Sequence, residues 1–186
     1  MTDRGFLLFD TPIGLCGIAW GDRGVVGVQL PEGGEAAARA RLRREHPEAH
    51  ESAPPAAVER AVEAIVALLN GEPRDLSFVE LDMRQVPPFP RRVYEVARTI
   101  PPGATLSYGE IAARLGEPGS ARDVGAALGQ NPFAIVVPCH RVVAAHGKLG
   151  GFSARGGIKT KLRLLSIEGV QAPGTIPLFE RGSLAR

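Results

Sequence analysis

The start of the chain alternates short apolar runs with turn-forming residues. Apolar runs at 6–9, 16–20 and 25–30 are separated by the turn-forming stretches 11–14 and 21–24. Runs of this length, bounded by glycine, proline and aspartate, are typical of strands joined by tight turns. The pattern therefore predicts an antiparallel meander of three strands.

Helical periodicity follows this meander. The Ala- and Arg-rich stretch 33–46 predicts an exposed helix that ends before Pro47, and apolar positions at helical spacing over 55–70 predict an amphipathic helix. Between them, 46–55 is rich in proline and polar residues, so we expect a loop there. A further strand is predicted over 76–82.

The second half of the chain has the pattern of a helix-turn-helix. One helix is predicted over 89–100, and two shorter helices over 107–115 and 120–130 are separated by a glycine-containing turn at 116–119. On a helical projection, the helix predicted over 120–130 is apolar on one face. The other face is nearly free of bulky side chains, which allows another molecule to approach closely. It carries Arg122, Gly125, Ala126 and Gly129.

The last third of the chain contains an apolar segment that a proline interrupts. Positions 134–143 predict a buried strand broken at Pro138, and 147–157, with five glycines, predicts a flexible, close-fitting loop. A final helix is predicted over 158–168. The proline-rich stretch 86–90 is predicted to be a linker between two domains.

Composition narrows the class of protein. The 186 residues are 44% hydrophobic and 23% charged, which is enough apolar material for a folded core. Two cysteines, Cys16 and Cys139, exclude a disulfide scaffold and a Cys-only zinc cluster. No apolar run approaches the ~18 residues of a membrane span, and Asp10 and Pro12 interrupt the only apolar stretch near the N-terminus. We therefore expect a cytoplasmic protein with no membrane partner.

Charge is unevenly distributed along the chain. Residues 1–87 carry a net charge of −5, and residues 88–172 carry a net charge of +6. A basic half favours a polyanionic partner, although ordinary solvated surface gives the same charges. All three lysines (Lys148, Lys159 and Lys161) lie in this basic half.

The tetrapeptide 138–141, Pro-Cys-His-Arg, carries the clearest sign of chemistry. A free thiol is mostly protonated at neutral pH, so a nucleophilic cysteine needs a nearby base or positive charge. His140 is a candidate base for Cys139, acting through a water or around a kink at Pro138, because adjacent residues on a strand point to opposite faces. A structural alternative stays open at this point, in which Cys139 is a small buried side chain in a valine-rich strand.

A wider set of residues carries a resemblance to a known family. The block 131–143 (NPFAIVVPCHRVV) resembles the active-site signature of the O6-alkylguanine-DNA alkyltransferases, also called methylated-DNA–protein-cysteine methyltransferases. The similarity continues in Tyr108, 121–128, 150–153, 161–165 and 167–169. It covers about 88–170 by motif and 5–85 by layout alone.

Together, the pattern and the resemblance imply a fold and a reaction. The expected fold class is an α/β N-terminal domain with a short antiparallel sheet (1–86), then a mainly α C-terminal domain with a winged helix-turn-helix (87–172) and a tail (173–186). The implied activity is direct-reversal DNA repair. In this reaction the alkyl group of O6-alkylguanine, and of O4-alkylthymine, moves once to Cys139 as a thioether that is not readily reversed. No cofactor and no metal ion is expected to take part.

The resemblance also implies catalytic roles. Cys139 is the nucleophile, His140 takes its proton through a water, and Glu168 orients His140. Asn131 is implied to brace the turn that carries the cysteine. Tyr108 is implied to donate a hydrogen bond to the leaving guanine oxygen.

The implied partner is double-stranded DNA, bound in the minor groove by a monomer with the damaged base flipped out of the stack. Arg122 is implied to fill the place of the flipped base. The other implied substrate- and DNA-binding residues are Gly125, Ala126, Val142, Phe152, Ser153 and Lys159. Lys148, Arg155 and Lys161 are further candidate phosphate contacts.

Two other function classes stay open beside this one. The first is a lesion sensor or DNA-binding regulator that recognises alkylguanine without repairing it, which would need no nucleophile. The second is an unrelated Cys-His hydrolase, which would need an oxyanion hole and form an acyl-enzyme.

Asp123 departs from the family pattern, because a small apolar residue is more usual there. We expect it to form a capping box with Ser120 at the start of its helix.

Overall fold

The computed structural model describes residues 4–170, and the predicted tail 173–186 lies outside the described residues. The strands are β1 (Gly5–Thr11), β2 (Gly14–Gly21), β3 (Gly24–Gln29), β4 (His50–Glu51), β5 (Leu106–Ser107) and β6 (Val142–Val143). The helices are α1 (Glu35–Glu45), α2 (Ala56–Leu69), α3 (Pro88–Arg98), α4 (Tyr108–Arg114), α5 (Ala121–Gly129) and α6 (Ile158–Ile167). Short 3₁₀ turns lie at Cys139–Arg141 and Ala145–Gly147. Within 4–170, no helix is long and apolar enough to cross a membrane.

The predicted N-terminal meander is confirmed. β1 pairs antiparallel with β2, and β2 pairs antiparallel with β3. The two hairpins turn at Gly14 and Gly24, whose φ of 121° is a backbone conformation that glycine adopts without strain. A fourth strand extends the sheet to the order β3-β2-β1-β4, so the sheet is mixed.

This fourth strand corrects the loop predicted over 46–55. β4 pairs parallel with β1 over two residues. The His50 N–H donates to the Arg4 carbonyl at 3.1 Å, and the Ser52 N–H donates to the Phe6 carbonyl at 3.2 Å. A strand of two residues leaves no alternation that a hydrophobic pattern can reveal.

The strand predicted over 76–82, a segment that the structure describes in full, does not form. A single isolated bridge joins Leu81 to Val25. The reason is Arg98 in α3, whose guanidinium donates to three carbonyls between residues 76 and 79 at 2.8 to 3.3 Å. Consecutive carbonyls of a straight strand point to opposite edges, so the segment must turn to present all three to one side chain.

The helices form where they are predicted, each end within two residues of its predicted position. The linker predicted over 86–90 is partly wrong, because Pro88 and Pro90 lie in the first turn of α3. Proline is well tolerated there, since the N–H groups of a first helical turn have no partner within the helix.

One hydrophobic core runs through both predicted domains. Its fully buried members include Ile18 and Ile65 from the first half and Val93, Ile111 and Leu164 from the second. α4 and α5 pack against each other and against α3, as the predicted helix, turn and helix require.

Backbone hydrogen bonds join the two halves at the edge of β3. The Val28 N–H donates to the Pro132 carbonyl at 2.8 Å, and the Ala134 N–H donates to the Val28 carbonyl at 3.2 Å. The segment held in this way leads directly to Cys139. The edge of the N-terminal sheet therefore helps to position the candidate site.

The capping box predicted for α5 is wrong. Ser120 has φ −92° and ψ 21° rather than extended backbone, and its side chain makes no cap hydrogen bond. Its hydroxyl donates instead to the Glu117 carbonyl at 2.8 Å. Asp123 is exposed in the first turn of α5 and is not reached by this side chain.

Candidate active site

Cys139 begins a 3₁₀ turn, and the buried strand predicted over 134–143 is wrong. Within this fully described segment, β6 is the only strand and it follows the cysteine, while Ala134 and Val137 form a single isolated bridge. The Cys139 N–H donates to the Val137 carbonyl at 2.8 Å, which folds the chain back on itself. Ile135 has a φ of 72° although its side chain is β-branched and buried, a strained conformation that persists only where the surroundings enforce it.

Asn131 is one of the groups that enforce this turn. Its Nδ2 donates to the Val137 carbonyl at 2.9 Å, and its Oδ1 accepts from the Phe133 N–H at 2.9 Å. Both ends of the amide therefore hold the backbone just before Cys139, which is the contact expected of a bracing residue.

A histidine and a carboxylate are buried behind the cysteine. The Nε2 of His140 lies 2.8 Å from Oε1 of Glu168, and the two side chains are 1% and 3% exposed. Glu168 follows the last turn of α6, so the helix delivers the carboxylate across the molecule to the 3₁₀ turn. The other ring nitrogen of His140, Nδ1, is buried without a hydrogen-bond partner among the described residues.

Arg141 completes this buried cluster, and the sequence reasoning did not assign it a role. Its Nε donates to Oε2 of Glu168 and its Nη2 to Oε1, both at 2.8 Å, while Nη1 donates to the Ile100 carbonyl at 2.6 Å. A bidentate arginine fixes the plane of a carboxylate. The signal in the sequence is an arginine inside an otherwise apolar segment, which a buried partner must neutralise.

Burial and hydrogen bonding shift the pKa values of His140, Glu168 and Cys139. Burial lowers the pKa of His140, which the hydrogen bond to Glu168 only partly offsets, so the ring is neutral at neutral pH and can accept a proton. Burial alone would raise the pKa of Glu168, but hydrogen bonds from His140 and Arg141 outweigh it and bring the pKa to about 2. Burial also raises the pKa of the Cys139 thiol, against opposing hydrogen bonds and the charge of Lys161. The resting thiol therefore needs a base.

The half-buried Cys139 faces a cavity of about 460 Å³. Asn131, Phe152 and Ser153 also line it, and β3 and α1 close its far side. This volume lies within the range of small-molecule sites. Four of the sequence-predicted site residues are thus brought to one cavity.

Tyr108 and Val142 lie nearby but do not line this cavity. The Tyr108 hydroxyl donates to the Gly151 carbonyl at 3.4 Å, and its ring lies 5.8 Å from Nζ of Lys161. Burial raises the pKa of Tyr108. Val142 is buried in β6 and offers its backbone carbonyl, which accepts from Lys161.

Lys161 corrects a sequence-based expectation. It is fully buried, so it cannot be a phosphate contact. The pattern of the helix does not reveal this, because lysine is one of the residues most rarely buried. In contrast, Lys148, Arg155 and Lys159 are exposed.

The exposed face of α5 matches the helical projection. Arg122, Ala126 and Gly129 are exposed, while Val124, Ala127 and Leu128 are buried. Gly125 is half-buried because the Tyr108 ring covers it. A Cβ at this position would lie 3.8 Å from that ring.

Between residues 4 and 170, no three or more His, Cys, Asp or Glu side chains cluster so that they could hold a metal ion. The buried cluster can instead deprotonate a thiol, and the thiol opens into a cavity of ligand size beside an exposed helix with a bare face.

Comparisons with known proteins find relatives that cover most of the chain. A family model described as "6-O-methylguanine DNA methyltransferase, DNA binding domain" matches residues 88–170. A methylated-DNA–protein-cysteine methyltransferase from Methanothermobacter thermautotrophicus is 39% identical over 158 residues, which is 85% of this chain and 81% of that protein. The protein of the same name from Mycobacterium tuberculosis is 47% identical over 131 residues, 70% of this chain and 77% of the relative.

Similarity extends to solved structures. The crystal structure of Mycobacterium tuberculosis OGT in complex with DNA is similar with a TM-score of 0.69 at 39% identity. The matched region covers 89% of this chain and 93% of that one. Both the small sheet and the helices of the present fold are therefore shared with a DNA-bound relative.

Proposed function

Because the chain belongs to the family of methylated-DNA–protein-cysteine methyltransferases, we propose that it repairs O6-alkylguanine in DNA by taking the alkyl group onto its own Cys139. The observation that carries this proposal is the buried pair of His140 and Glu168 beside a half-buried thiol that faces a cavity. A neutral thiol becomes a nucleophile only when such a held base removes its proton.

The transfer is a single in-line displacement. His140 takes the proton of Cys139 at Nδ1 through a bridging water, and Glu168 stabilises the imidazolium that results. The thiolate sulfur then attacks the alkyl carbon, so that an S–C bond forms while the C–O6 bond breaks. The electron pair leaves on the guanine oxygen, and a proton from solvent restores guanine. Each molecule reacts once, because the thioether product has no easy route back to a thiol.

The leaving oxygen needs a donor as negative charge develops on it. The Tyr108 and Ser153 hydroxyls take this role. Phe152 lines the guanine pocket, and the backbone of Val142 lies beside it. O4-alkylthymine carries the same exocyclic O-alkyl group, which makes it a second substrate of the same pocket.

DNA binds along α5 in the minor groove, with Arg122 filling the gap left by the flipped base. The bare surface at Gly125 and Ala126 lets the backbone approach the groove, and Lys159, at the exposed start of α6, contacts phosphate. α4 and α5 then act as a winged helix-turn-helix in a C-terminal domain over 87–172, beside an N-terminal domain over 1–86. The protein works as a monomer.

A lesion sensor that binds without repair is the less favoured reading. A binder has no use for a thiol whose neighbouring histidine is held by a carboxylate at 2.8 Å, nor for the arginine that fixes that carboxylate. A hydrolase is disfavoured for a different reason: no acyl chemistry accounts for the exposed, bare helix beside the thiol.

The test uses a duplex with one labelled O6-methylguanine. The wild-type protein is expected to take up at most one label per molecule. Cys139→Ser is expected to take up none, yet to bind the duplex as before, because contacts to the groove and phosphates do not use the thiol. Label uptake by Cys139→Ser equal to that of the wild type would refute the proposal.

A further inference from the structure

The cavity at Cys139 extends beyond the groups that the reaction uses. Its far part is lined by Pro31 and Leu42 from the N-terminal half and by Arg155 from the loop before α6. In an in-line displacement the sulfur, the reacting carbon and the leaving oxygen lie on one line. The rest of a larger alkyl group must therefore project sideways from that line, into cavity space that neither the thiol nor the base occupies.

Arg155 reaches the N-terminal half of the chain at this far part of the cavity. Its side chain is exposed to solvent, and a Cβ built on Gly33 would lie 2.6 Å from its Nη1. The guanidinium therefore lies against the backbone of the loop between β3 and α1. Gly33 has a φ of 64°, a conformation that suits glycine, and its lack of a side chain leaves room for the guanidinium.

The backbone that carries Arg155 is held by hydrogen bonds at the start of α6. Oγ1 of Thr160, in the first turn of this helix, donates to the Arg155 carbonyl at 2.7 Å. The Gly157 N–H donates to the Ala154 carbonyl at 2.9 Å. This turn directly follows residues 152–153, which also line the cavity. The fold therefore fixes where the Arg155 side chain starts relative to the cavity wall.

Arg155 is also a charged group without a partner in the cavity lining. The other charged lining residues are Glu32, Arg41 and Glu45, and Arg41 binds both carboxylates. Burial lowers the pKa of His46, so this lining side chain is neutral at neutral pH. Within residues 4–170, the Arg155 guanidinium makes no ion pair and no hydrogen bond. Its charge and its donors are thus available to a bound molecule.

We propose that Arg155 selects the alkyl group by charge and favours O6-alkylguanines whose substituent is long and ends in a carboxylate. The guanidinium donates to the carboxylate while the thiolate attacks the carbon bonded to O6. An S–C bond forms, the C–O6 bond breaks with its electron pair on oxygen, and the carboxylate-bearing group stays on Cys139. This inference rests on the proposed function and deepens it by naming a substrate class.

The first experiment compares two free bases, O6-(4-carboxybenzyl)guanine and O6-(4-carbamoylbenzyl)guanine. The amide has nearly the shape of the carboxylate but no charge. The ratio of their single-turnover rates in one protein therefore reports charge selection and is independent of the folded fraction. Arg155→Gln is expected to lower this ratio by about fivefold, the scale of an ion pair that is partly open to solvent. Arg155→Lys is expected to keep most of the ratio, and Arg155→Glu to lower it further than Arg155→Gln.

Arg43→Gln is the matched control. Arg43 is an exposed arginine of α1 that lies next to Leu42 in the chain, makes no ion pair within residues 4–170 and is not among the residues that line the cavity. Removing its charge is expected to leave the rate ratio within about twofold of the wild-type value. An equal fall in Arg43→Gln and Arg155→Gln would show that net charge sets the preference, and it would overturn the proposal.

A second measurement delivers the same group to Cys139 without guanine. 4-(Bromomethyl)benzoate and 4-(bromomethyl)benzamide alkylate thiols directly, with bromide as the leaving group, and peptide mass identifies the modified residue. Cys16 does not interfere, because it is buried and its pKa is raised to about 11. The ratio of the benzoate rate to the benzamide rate is expected to fall in Arg155→Gln but not in Arg43→Gln.

The outcomes separate this inference from the proposed function. If the wild type takes no benzyl group from either guanine, the proposed function fails, while the bromomethyl reagents still decide the role of Arg155. If transfer occurs and the rate ratio is the same in the wild type and in Arg155→Gln, Arg155 does not select the alkyl group and the proposal is overturned.

Discussion

At the scale of single residues, the reactivity of Cys139 depends on side chains that lie far away in sequence. Glu168 holds His140, and Arg141 holds Glu168, so the base is fixed in position and neutral at the pH where it must accept a proton. The sequence identifies the cysteine and its neighbouring histidine, but the pairing of Arg141 with Glu168 depends on how α6 packs. Only the fold shows that contact.

The substitution Glu168→Gln tests this arrangement. It removes the negative charge that stabilises the imidazolium and one acceptor of Arg141, so we expect alkyl transfer to slow by roughly 10²-fold, the scale of a general-base contribution. The single-turnover rate with O6-benzylguanine measures the effect. Glu63→Gln, an exposed glutamate in α2, serves as the control and should keep the wild-type rate.

The lowered pKa of Glu168 predicts that the folded protein loses stability at acid pH. The pKa of Glu168 is about 2 in the folded protein, against an ordinary value of 4.5. A lowered carboxyl pKa contributes stability that is full above 4.5 and is lost as pH falls towards about 2. The melting temperature of the wild type should therefore fall more steeply in this range than that of Glu168→Gln. Parallel curves for the two proteins would contradict the buried cluster.

At the scale of elements, the helices were predictable, whereas two of the predicted strands did not form. Periodicity of apolar positions is a local signal, and it located the six α-helices found between residues 4 and 170. The segments at 76–82 and 134–143 look like strands by composition, but Arg98 gathers the carbonyls of the first, and Asn131 folds the second into a turn. A side chain from elsewhere decides each case, which no local pattern contains.

The caps of the two short helices give an element-scale prediction. Ser107 accepts from the Glu110 N–H at 3.1 Å, and the Glu110 carboxylate accepts from the Ser107 N–H at 2.6 Å, so α4 starts with a capping box. Ser107→Ala should lower the free energy of unfolding by about 1 kcal/mol. Ser120→Ala should cost clearly less, because Ser120 does not cap α5. Chemical denaturation measures both, and equal losses would show that the two helices are capped alike.

At the scale of the whole molecule, an acidic half and a basic half share one core. The N-terminal half carries a net charge of −5 and residues 88–172 carry +6, so DNA is expected to meet the second half while the first supports the cysteine-bearing turn through Val28. Binding to duplex DNA should therefore weaken as salt rises, since phosphate contacts release counterions.

Arg122→Ala tests the role of the basic half. Repair of duplex DNA should slow by about tenfold or more, part of the few kcal/mol that flipping a base costs. Reaction with free O6-benzylguanine should stay within about twofold, because a free base leaves no gap to fill. Arg60→Ala, which removes an exposed charge from α2 in the acidic half, is the control and should leave both rates unchanged. Equal losses on both substrates would rule out the gap-filling role.

The most direct measurement is the mass of the intact protein and of its peptides after incubation with a duplex that contains O6-methylguanine. A methyl group is expected to replace one hydrogen in each reacted molecule, on the peptide that contains Cys139, while the DNA regains an unmodified guanine. Binding without any gain in mass would identify a sensor. Repair with an unchanged protein mass, or a methyl group on any other residue, would contradict transfer to Cys139.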